Sequence, residues 1–414
     1  MARAACFGLI ILAGIIQGGS LASEMPQPEP EETPAAVGGD HRSPGEVGND
    51  LAQDRLEPAG TFTGLDVFAE ALGSIEKAAK SHPSRQRLIQ AAIRGMLAMA
   101  DEESVYLEPE FQAALQDNAY EALGGLPVEV TRRDGRVLVV SPFRGSRAAA
   151  LLVPGEELLS LGPHSLAGVS LTRYFGLLRR YDGEELQLTV QNEAGEVRTV
   201  KVQRETMHGP SLLVERFPEG VVAVRVRSLD NGISADLEAI LSQHKTTLTA
   251  FILDLRGSPG GRLDEAMAIA DLFLSEGPLA TVVNGDKTLK SFSAEPGGIG
   301  VKLPMVLLVD RGTAGASELL ALVLQARGVA RCFGSTTFGK GSVQATFPLP
   351  DGGSMRFTVG ELRGPRGENF HSQGFKPAVS VETKGRRLGS EAPDPQFEAA
   401  RAAAVGLLKE VEKR

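Results

Sequence analysis

The chain has 414 residues, which is enough for two or three domains of ordinary size and for a large buried core. Hydrophobic residues make up 42% of it and charged residues 23%, proportions that exclude a chain disordered throughout, a collagen-like fibre and a protein with many membrane spans. The 52 Asp and Glu residues outnumber the 43 Lys and Arg residues, and no basic run is interleaved with aromatics, so nucleic acid is not an expected partner.

The first 22 residues have the layout of a secretory signal. Arg3 lies in a short basic start, residues 7–16 are apolar, and Ser20-Leu21-Ala22 provides the small residues of a cleavage site. We expect cleavage after Ala22 and export to the periplasm or cell envelope, with no membrane span in the mature chain. The alternative is an uncleaved N-terminal anchor, although the apolar run is short for a hydrocarbon core of ~30 Å.

Residues 23–61 have the composition of a disordered, acidic, Pro-rich tether. Nine acidic and two basic residues fall between Glu24 and Glu57, with few large apolar residues, so the segment cannot bury enough surface to offset the entropy of ordering. Cys6 falls within the signal, which leaves Cys332 alone in the mature chain and predicts no internal disulfide. We expect Cys332 to be a buried strand residue.

From residue 62 onward, four segments with different patterns follow one another. Residues 62–122 form a helical lead-in, because apolar residues recur there at helical spacing. Residues 123–205 contain short strands interrupted by two short helical stretches, which indicates a compact β-rich domain. In residues 206–393, buried-type strands alternate with amphipathic helices, a pattern typical of an α/β core with loops gathered at the carboxyl ends of its strands. We predict a final helix over residues 394–414.

Three separated motifs in the chain carry a family resemblance. They are AFILDLRGSPGGRLDEAMAIADLFL, then MVLLVDRGTAGASELLALVLQARGVARCFGSTTFGKGSVQATFPLPDGGSMRFT, and finally GFKPAVSVE. In their order and spacing they resemble the carboxyl-terminal processing peptidases, also called tail-specific serine proteases, and the likeness extends over residues 62–414. The resemblance implies an α/β core of the ClpP/crotonase-like type with an inserted PDZ-like domain at 123–205 and a helical N-terminal lead-in.

The resemblance also implies the catalytic machinery of a serine–lysine dyad, in which a hydroxyl attacks the peptide carbonyl and an amine takes its proton. It assigns the base to Lys340, in Phe338-Gly339-Lys340-Gly341, and the orientation of that lysine to Gln344. A lysine acts as a base only if burial lowers its pKa. The alternative for Lys340 is an ordinary exposed lysine beside a turn.

An oxyanion hole is implied by the same resemblance. The glycine pair Gly260-Gly261 matches the family's strand-to-helix turn, and the amide of Ala316 matches the second donor. A plain tight turn, in which Pro259 sets φ and the glycines adopt positive φ, also explains the pair, and both interpretations can hold together.

The nucleophile position carries the main departure from the family. The nucleophilic serine is expected 25 residues before Lys340, at position 315, and this chain has Gly315 there. Glycine has no side chain, so no acyl-enzyme can form at this position. Thr313 and Ser317 are the nearest hydroxyls, each two residues away. On a helix that offset is a rotation of about 200°, and Ser317 is of the helix-capping type, so neither is expected to replace the missing serine.

A second departure concerns peptide capture. A PDZ-like domain holds a terminal carboxylate with the backbone amides of a Gly-rich turn, for which the resemblance implies Gly125, Leu126 and Val128. Pro127 interrupts this turn and has no N–H, so one donor is missing. Leu126 and Val128 are expected still to donate.

These observations predict an exported protein that resembles a C-terminal processing serine peptidase but lacks proteolytic activity, acting in polypeptide binding or regulation. The alternative is an active serine-type endopeptidase that trims exported proteins near their C-termini. A third interpretation, an acyl-group enzyme of the crotonase type, is disfavoured by the Lys340–Gln344 pair. The expected partner is a polypeptide, and neither a metal nor another cofactor is expected, because no His, Cys or carboxylate spacing suits zinc or calcium.

Overall fold

The computed structural model describes residues 64–110, 125–181, 183–205, 210–244, 246–298, 303–383 and 394–411. The predicted signal and tether lie outside the described residues, as does the end of the predicted lead-in. Within these ranges, no helix combines the length and the apolar character that crossing a membrane requires.

The chain divides into two compact units, one of residues 19–95 and one containing residues 96–414. The described part of the first unit is helical: α1 (Gly64–Ala78), then α2 (Arg85–Ala100), which continues past its boundary. Both helices form where the apolar spacing predicts them. Arg85 donates to Glu76 at 2.8 Å, and the residues described for α1 include no buried one, so its apolar side chains are partly or fully exposed.

The larger unit begins with a short strand and an antiparallel sheet. Strand β1 (Val105–Leu107) comes first, and residues 125–205 then form the segment that we call the β-rich unit. Its elements are β2 (Val128–Arg133), β3 (Arg136–Pro142), α3 (Ala148–Leu151), β4 (Glu157–Leu161), β5 (His164–Ser165), α4 (Leu171–Arg180), β6 (Glu185–Gln191) and β7 (Val197–Gln203). The sheet order is β2-β3-β4-β6-β7, with β5 on β4, so β2 is an edge strand.

The two ends of the β-rich unit lie side by side. The amide of Glu205 donates to the carbonyl of Gly125 at 3.0 Å. Between these ends, every strand except the two-residue β5 contributes side chains to one apolar core, as expected for strands with one buried face. The strands predicted from the sequence are present with small differences at their ends.

A six-stranded sheet forms the centre of the rest of the unit. Its elements are β8 (Leu212–Arg216), β9 (Val221–Val226), α5 (Ile233–His244), β10 (Ala250–Asp254), α6 (Leu263–Leu272), β13 (Met305–Val309), α7 (Ala316–Ala326), β14 (Ala330–Gly334), β17 (Val379–Ser380) and α8 (Pro395–Val411). The order is β17-β14-β13-β10-β9-β8, parallel except for β8. Every residue of β10 and β13 is buried, because helices cover both faces of the sheet. Cys332 lies buried in β14, in accordance with its prediction.

A second antiparallel sheet completes the unit. It contains β11 (Pro278–Asn284), β12 (Lys287–Ser293), β15 (Ser342–Pro348) and β16 (Ser354–Arg363). The order is β1-β16-β11-β12, and β15 pairs with β16. Strand β1, which precedes the β-rich unit in the chain, therefore pairs with a strand that follows it by about 250 residues, with Val105 opposite Arg356. The unit as a whole is a mixed α/β structure.

Candidate functional site

The predicted site residues gather at one edge of the central sheet. Strands β10, β13 and β14 are parallel and end together, and the loops that follow them carry Gly260-Gly261, Gly315 and Lys340. Two hydrogen bonds join the first two loops: the amide of Gly257 donates to Asp310 at 2.8 Å, and the amide of Ala314 donates to the carbonyl of Ser258 at 2.9 Å.

Gly315 occupies the turn between β13 and α7. It is the N-cap of α7, with φ 58° and ψ −125°, a left-handed conformation that costs an L residue free energy and glycine almost none. Some hydrolases present a nucleophilic serine on a sharp, strained strand-to-helix turn. The backbone at position 315 keeps such a turn, but the side chain is absent.

Glu318 links the loop at position 315 to the loop that carries Lys340. Its Oε2 accepts from the amides of Gly315 (2.9 Å) and Lys340 (2.8 Å), and its Oε1 accepts from the amide of Gly339 (2.7 Å) and the hydroxyl of Thr337. Burial raises the pKa of this carboxyl to about 7, against the lowering effect of the four donors. Sequence reasoning missed this residue, although a Glu at the third position of a helix is a recognised capping signal.

Lys340 is fully buried and forms an ion pair with a residue of the β-rich unit. Its Nζ lies 3.1 Å from Oε1 of Glu129 on β2, and the side chains are 1% and 5% exposed. The alternative of an exposed lysine beside a turn is therefore wrong. Sequence reasoning also missed Glu129, which is 211 residues away from its partner along the chain.

The predicted contact between Gln344 and Lys340 is not made. Nε2 of Gln344 donates to the carbonyl of Glu103 at 3.1 Å, and its Oε1 is buried with no hydrogen-bond partner among the described residues. The expectation failed because Gln344 lies on β15, where the segment before β1 supplies its acceptor, while the lysine turns to Glu129.

Gly260 and Gly261 form a tight turn against the loop after β9. Both have positive φ, 103° and 133°; the amide of Leu229 donates to the carbonyl of Gly260, and the amide of Arg262 donates to the carbonyl of Leu229, each at 2.8 Å. A Cβ atom at Gly261 would lie 2.4 Å from the carbonyl oxygen of Leu229, so only glycine fits. Ala316 is the first residue of α7, where backbone amides lack intrahelical acceptors. The oxyanion hole stays a prediction that this arrangement permits.

The two neighbouring hydroxyls are buried and engaged elsewhere. Thr313 donates to the carbonyl of Leu255 at 2.8 Å and accepts from the amide of Asp310, while Oγ of Ser317 lies 2.8 Å from Oγ of Ser258. Ser317, expected to be of the helix-capping type, is not the cap, because Gly315 is the N-cap and α7 begins at Ala316.

A buried charge cluster supports the base of the β10 loop. The carboxylate of Asp254 lies 3.1 Å from Arg144 of the β-rich unit, 3.2 Å from Arg225 and 2.8 Å from Arg256. Burial alone would raise the pKa of Asp254, but the charges of Arg256 and Arg144 hold it well below its usual range. The cluster therefore attaches the β-rich unit to the core at a second point.

The predicted peptide-binding turn differs from the expectation at one donor. Gly125 has φ 66°, and Leu126 and Val128 are buried in the core of the β-rich unit. The amide of Val128 already donates to the carbonyl of Leu126 at 2.8 Å. The expectation that Val128 can donate to a carboxylate is therefore wrong, because the turn around Pro127 folds back on itself.

Comparison with known proteins gives a consistent picture. Residues 220–381 match peptidase family S41. The chain is 29% identical over 302 residues to the carboxy-terminal processing protease CtpA of Bacillus subtilis (strain 168), covering 72% of this chain and 64% of that protein. It is 32% identical over 308 residues to a probable CtpA-like serine protease of Staphylococcus aureus (strain bovine RF122 / ET3-1), covering 72% and 61%. The chain thus spans a little over three fifths of the length of these curated relatives.

A solved structure shares the fold. The photosystem II D1 C-terminal processing protease superposes with a TM-score of 0.65 at 24% sequence identity, covering 80% of this chain and 98% of that one. Across the described residues, no three His, Cys, Asp or Glu side chains are grouped so that they could hold a metal ion.

Proposed function

Because this chain belongs to the carboxyl-terminal processing peptidases of family S41, we propose that it is an exported, non-cleaving member that binds polypeptides or regulates a protein partner. The observation that carries the proposal is Gly315 at the N-cap of α7, where the family chemistry requires a hydroxyl. We further propose that residues 125–205 act as a PDZ-like domain and that the six-stranded sheet is a ClpP/crotonase-like core.

The missing side chain removes the covalent step of peptide hydrolysis. Attack on the carbonyl needs an oxygen nucleophile, and an enzyme of this type deprived of it keeps only about 10³–10⁴-fold acceleration over water, from binding and the oxyanion hole. The two hydroxyls nearest in sequence, those of Thr313 and Ser317, do not support a replacement, since both are already hydrogen-bonded within the core. Hydrogen bonds donated by the amides of Gly260, Gly261 and Ala316 to a substrate carbonyl would then favour binding without turnover.

The mode of binding that we propose uses extended backbone more than a terminal carboxylate. Strand β2 is at the edge of its sheet, where an added strand of a polypeptide can pair with it. Pro127 has no N–H and the amide of Val128 is occupied, so two of the amides that a carboxylate nest needs are lost.

The test is incubation of the purified mature chain with an unstructured, fluorescently labelled polypeptide that ends in apolar residues. We expect saturable binding by fluorescence anisotropy and an intact polypeptide by mass spectrometry. Cleavage by the wild-type chain that Lys340→Ala abolishes would overturn the proposal in favour of an active endopeptidase. A Lys201→Ala variant, which alters an exposed pair with Glu185, is the matched control.

Export is part of the proposal and has its own measurement. When the gene for the full chain is expressed in a bacterium, we expect the protein in the envelope fraction with an N-terminus at Ser23. Retention of residues 1–22 on an envelope-bound protein would indicate the uncleaved anchor instead.

A further inference from the structure

One face of strand β2 is docked on the loop that carries Lys340. Side chains alternate along a strand, so Glu129, Thr131 and Arg133 share a face. Glu129 pairs with the amine of Lys340, and Arg133 donates to the carbonyl of Gly339 at 2.8 Å while its guanidinium lies 5.0 Å from the centre of the Phe338 ring.

Thr131, the middle residue of this face, contacts residues 338–342 indirectly, through the carboxylate of Glu103. The hydroxyl of Thr131 donates to Oε1 of Glu103, and the other oxygen of Glu103 accepts from the hydroxyl of Ser342 at 2.5 Å. The opposite face of β2, with Val128 and Val130, belongs to the core of the β-rich unit. A single strand thus joins the β-rich unit to residues 338–342 by three consecutive side chains of one face.

The chemistry of the Lys340–Glu129 pair determines what the amine can do. A carboxylate at 3.1 Å from a buried amine stabilises the ammonium form, and an ammonium has three donors and no lone pair with which to take a proton. Arg356 is buried in the same region, where the charges of Glu129 and Glu103 act on it. The region therefore contains two buried basic side chains, Lys340 and Arg356, and two carboxylates, Glu129 and Glu103.

We infer that Glu129 withholds the Lys340 amine from proton transfer, and that the lysine serves this chain as the anchor of the β-rich unit on the core. The inference rests on the proposed function, according to which the chain does not cleave polypeptides. It adds a second, independent reason for the absence of cleavage: with a hydroxyl restored at position 315, the Lys340 amine would still be held in its ion pair with Glu129.

The step at issue is a proton transfer coupled to bond formation. When Oγ of a serine at 315 bonds to the carbonyl carbon, its proton must pass to a neutral Nζ, which later gives it to the departing amine as the C–N bond breaks; water then hydrolyses the ester. With Glu129 replaced by a neutral residue, the buried amine loses the carboxylate that holds it in the ion pair.

The activity experiment compares Gly315→Ser with Gly315→Ser/Glu129→Gln, and with Gly315→Ser/Glu129→Leu as a second form that cannot hydrogen-bond to Nζ. Cleavage of a fluorogenic unstructured polypeptide and labelling by a fluorophosphonate are both measured. We expect Gly315→Ser to stay at background and at least one double variant to exceed it tenfold or more, with loss of that gain on adding Lys340→Ala. A gain of activity is a readout that a merely structural role of Glu129 would not move.

Two results would overturn the inference. One is a Gly315→Ser variant that cleaves as fast as the double variants. The other is background activity in double variants whose circular dichroism shows a folded chain. Neither bears on the proposed function, which fails only if the wild-type chain cleaves. The matched control is Gly315→Ser/Glu185→Gln, which removes an exposed carboxylate paired with Lys201 at 3.0 Å and is expected to stay at background.

The anchor role of Lys340 is tested by stability measurements that need no activity, on variants that keep Gly315. We expect Lys340→Met and Glu129→Gln each to lower the Tm and to increase hydrogen exchange in 128–133 and 338–342, because each removes one member of the buried ion pair that joins these two segments. The double variant Glu129→Gln/Lys340→Met should recover most of the loss. A Lys340→Met chain as stable and as protected as wild type would contradict the anchor role.

Discussion

The Oε2 atom of Glu318 accepts the amide hydrogen of Gly315 at 2.9 Å, from within the first turn of the helix that Gly315 caps. The same oxygen accepts the amide of Lys340, so one buried carboxylate fixes the spacing between position 315 and the lysine loop.

Glu318→Gln should destabilise the chain by about 2–4 kcal/mol, because the amide group turns an NH₂ toward amide donors that then lose their acceptor. Urea unfolding at pH 8 measures the change. Glu238→Gln on the exposed side of α5 is the control and should leave the unfolding midpoint unchanged. An unchanged midpoint for Glu318→Gln would show that the four hydrogen bonds contribute little.

Asp254 should make the chain sensitive to acid. Its pKa in the folded chain is below its usual range, so its stabilising contribution is complete above the usual aspartate pKa, ~4, and is lost as the pH falls below that value. Asp254→Asn should therefore lower the free energy of unfolding at pH 7 more than at pH 3. Denaturant midpoints of the wild-type chain and of Asp254→Asn between pH 3 and pH 7 provide the measurement. A difference in stability between the two that does not change with pH would contradict the prediction.

Gly315→Ala should lower stability by about 1–2 kcal/mol through the positive φ alone. Gly315→Ser should cost a similar amount, since the hydroxyl adds no backbone strain. The pair of variants separates the backbone from the hydroxyl, and thermal unfolding in a calorimeter measures both. Equal stability of all three chains would mean that the turn relaxes at position 315.

A peptide with a free carboxyl terminus and its amidated form should bind with affinities that differ by less than about tenfold, or ~1.4 kcal/mol. The reason is the loss of two donors, at Pro127 and Val128, from the turn that would hold the carboxylate. Isothermal titration with both forms provides the measurement. A strong preference for the free carboxyl form would show that other amides supply the nest.

Local patterns in the sequence were sufficient to predict most helices and strands and the positions of the loops between them. Periods of two and of 3.6 residues place the strands of the β-rich unit and the helices near their observed ends. The family resemblance assigned Gly260, Gly315 and Lys340 to one site, and the loops after the parallel strands β10, β13 and β14 carry them at one edge of the sheet.

Contacts between distant segments could not be predicted in the same way. Glu129 meets Lys340 across 211 residues, and Gln344 meets Glu103 across 241, and no local pattern records either pair. The amide of Val128 was misjudged for a different reason, since a proline turn that folds back on itself depends on backbone angles that the residue types only restrict.

The hydrogen bond from Glu205 to Gly125 places the two ends of the β-rich unit beside each other. A segment whose ends meet can be added to or removed from a scaffold at a single point of the chain, as in domain insertion. The ancestry of the β-rich unit and that of the central sheet can therefore differ, and a chimaera that exchanges residues 125–205 for those of an active relative would preserve the connections of the scaffold.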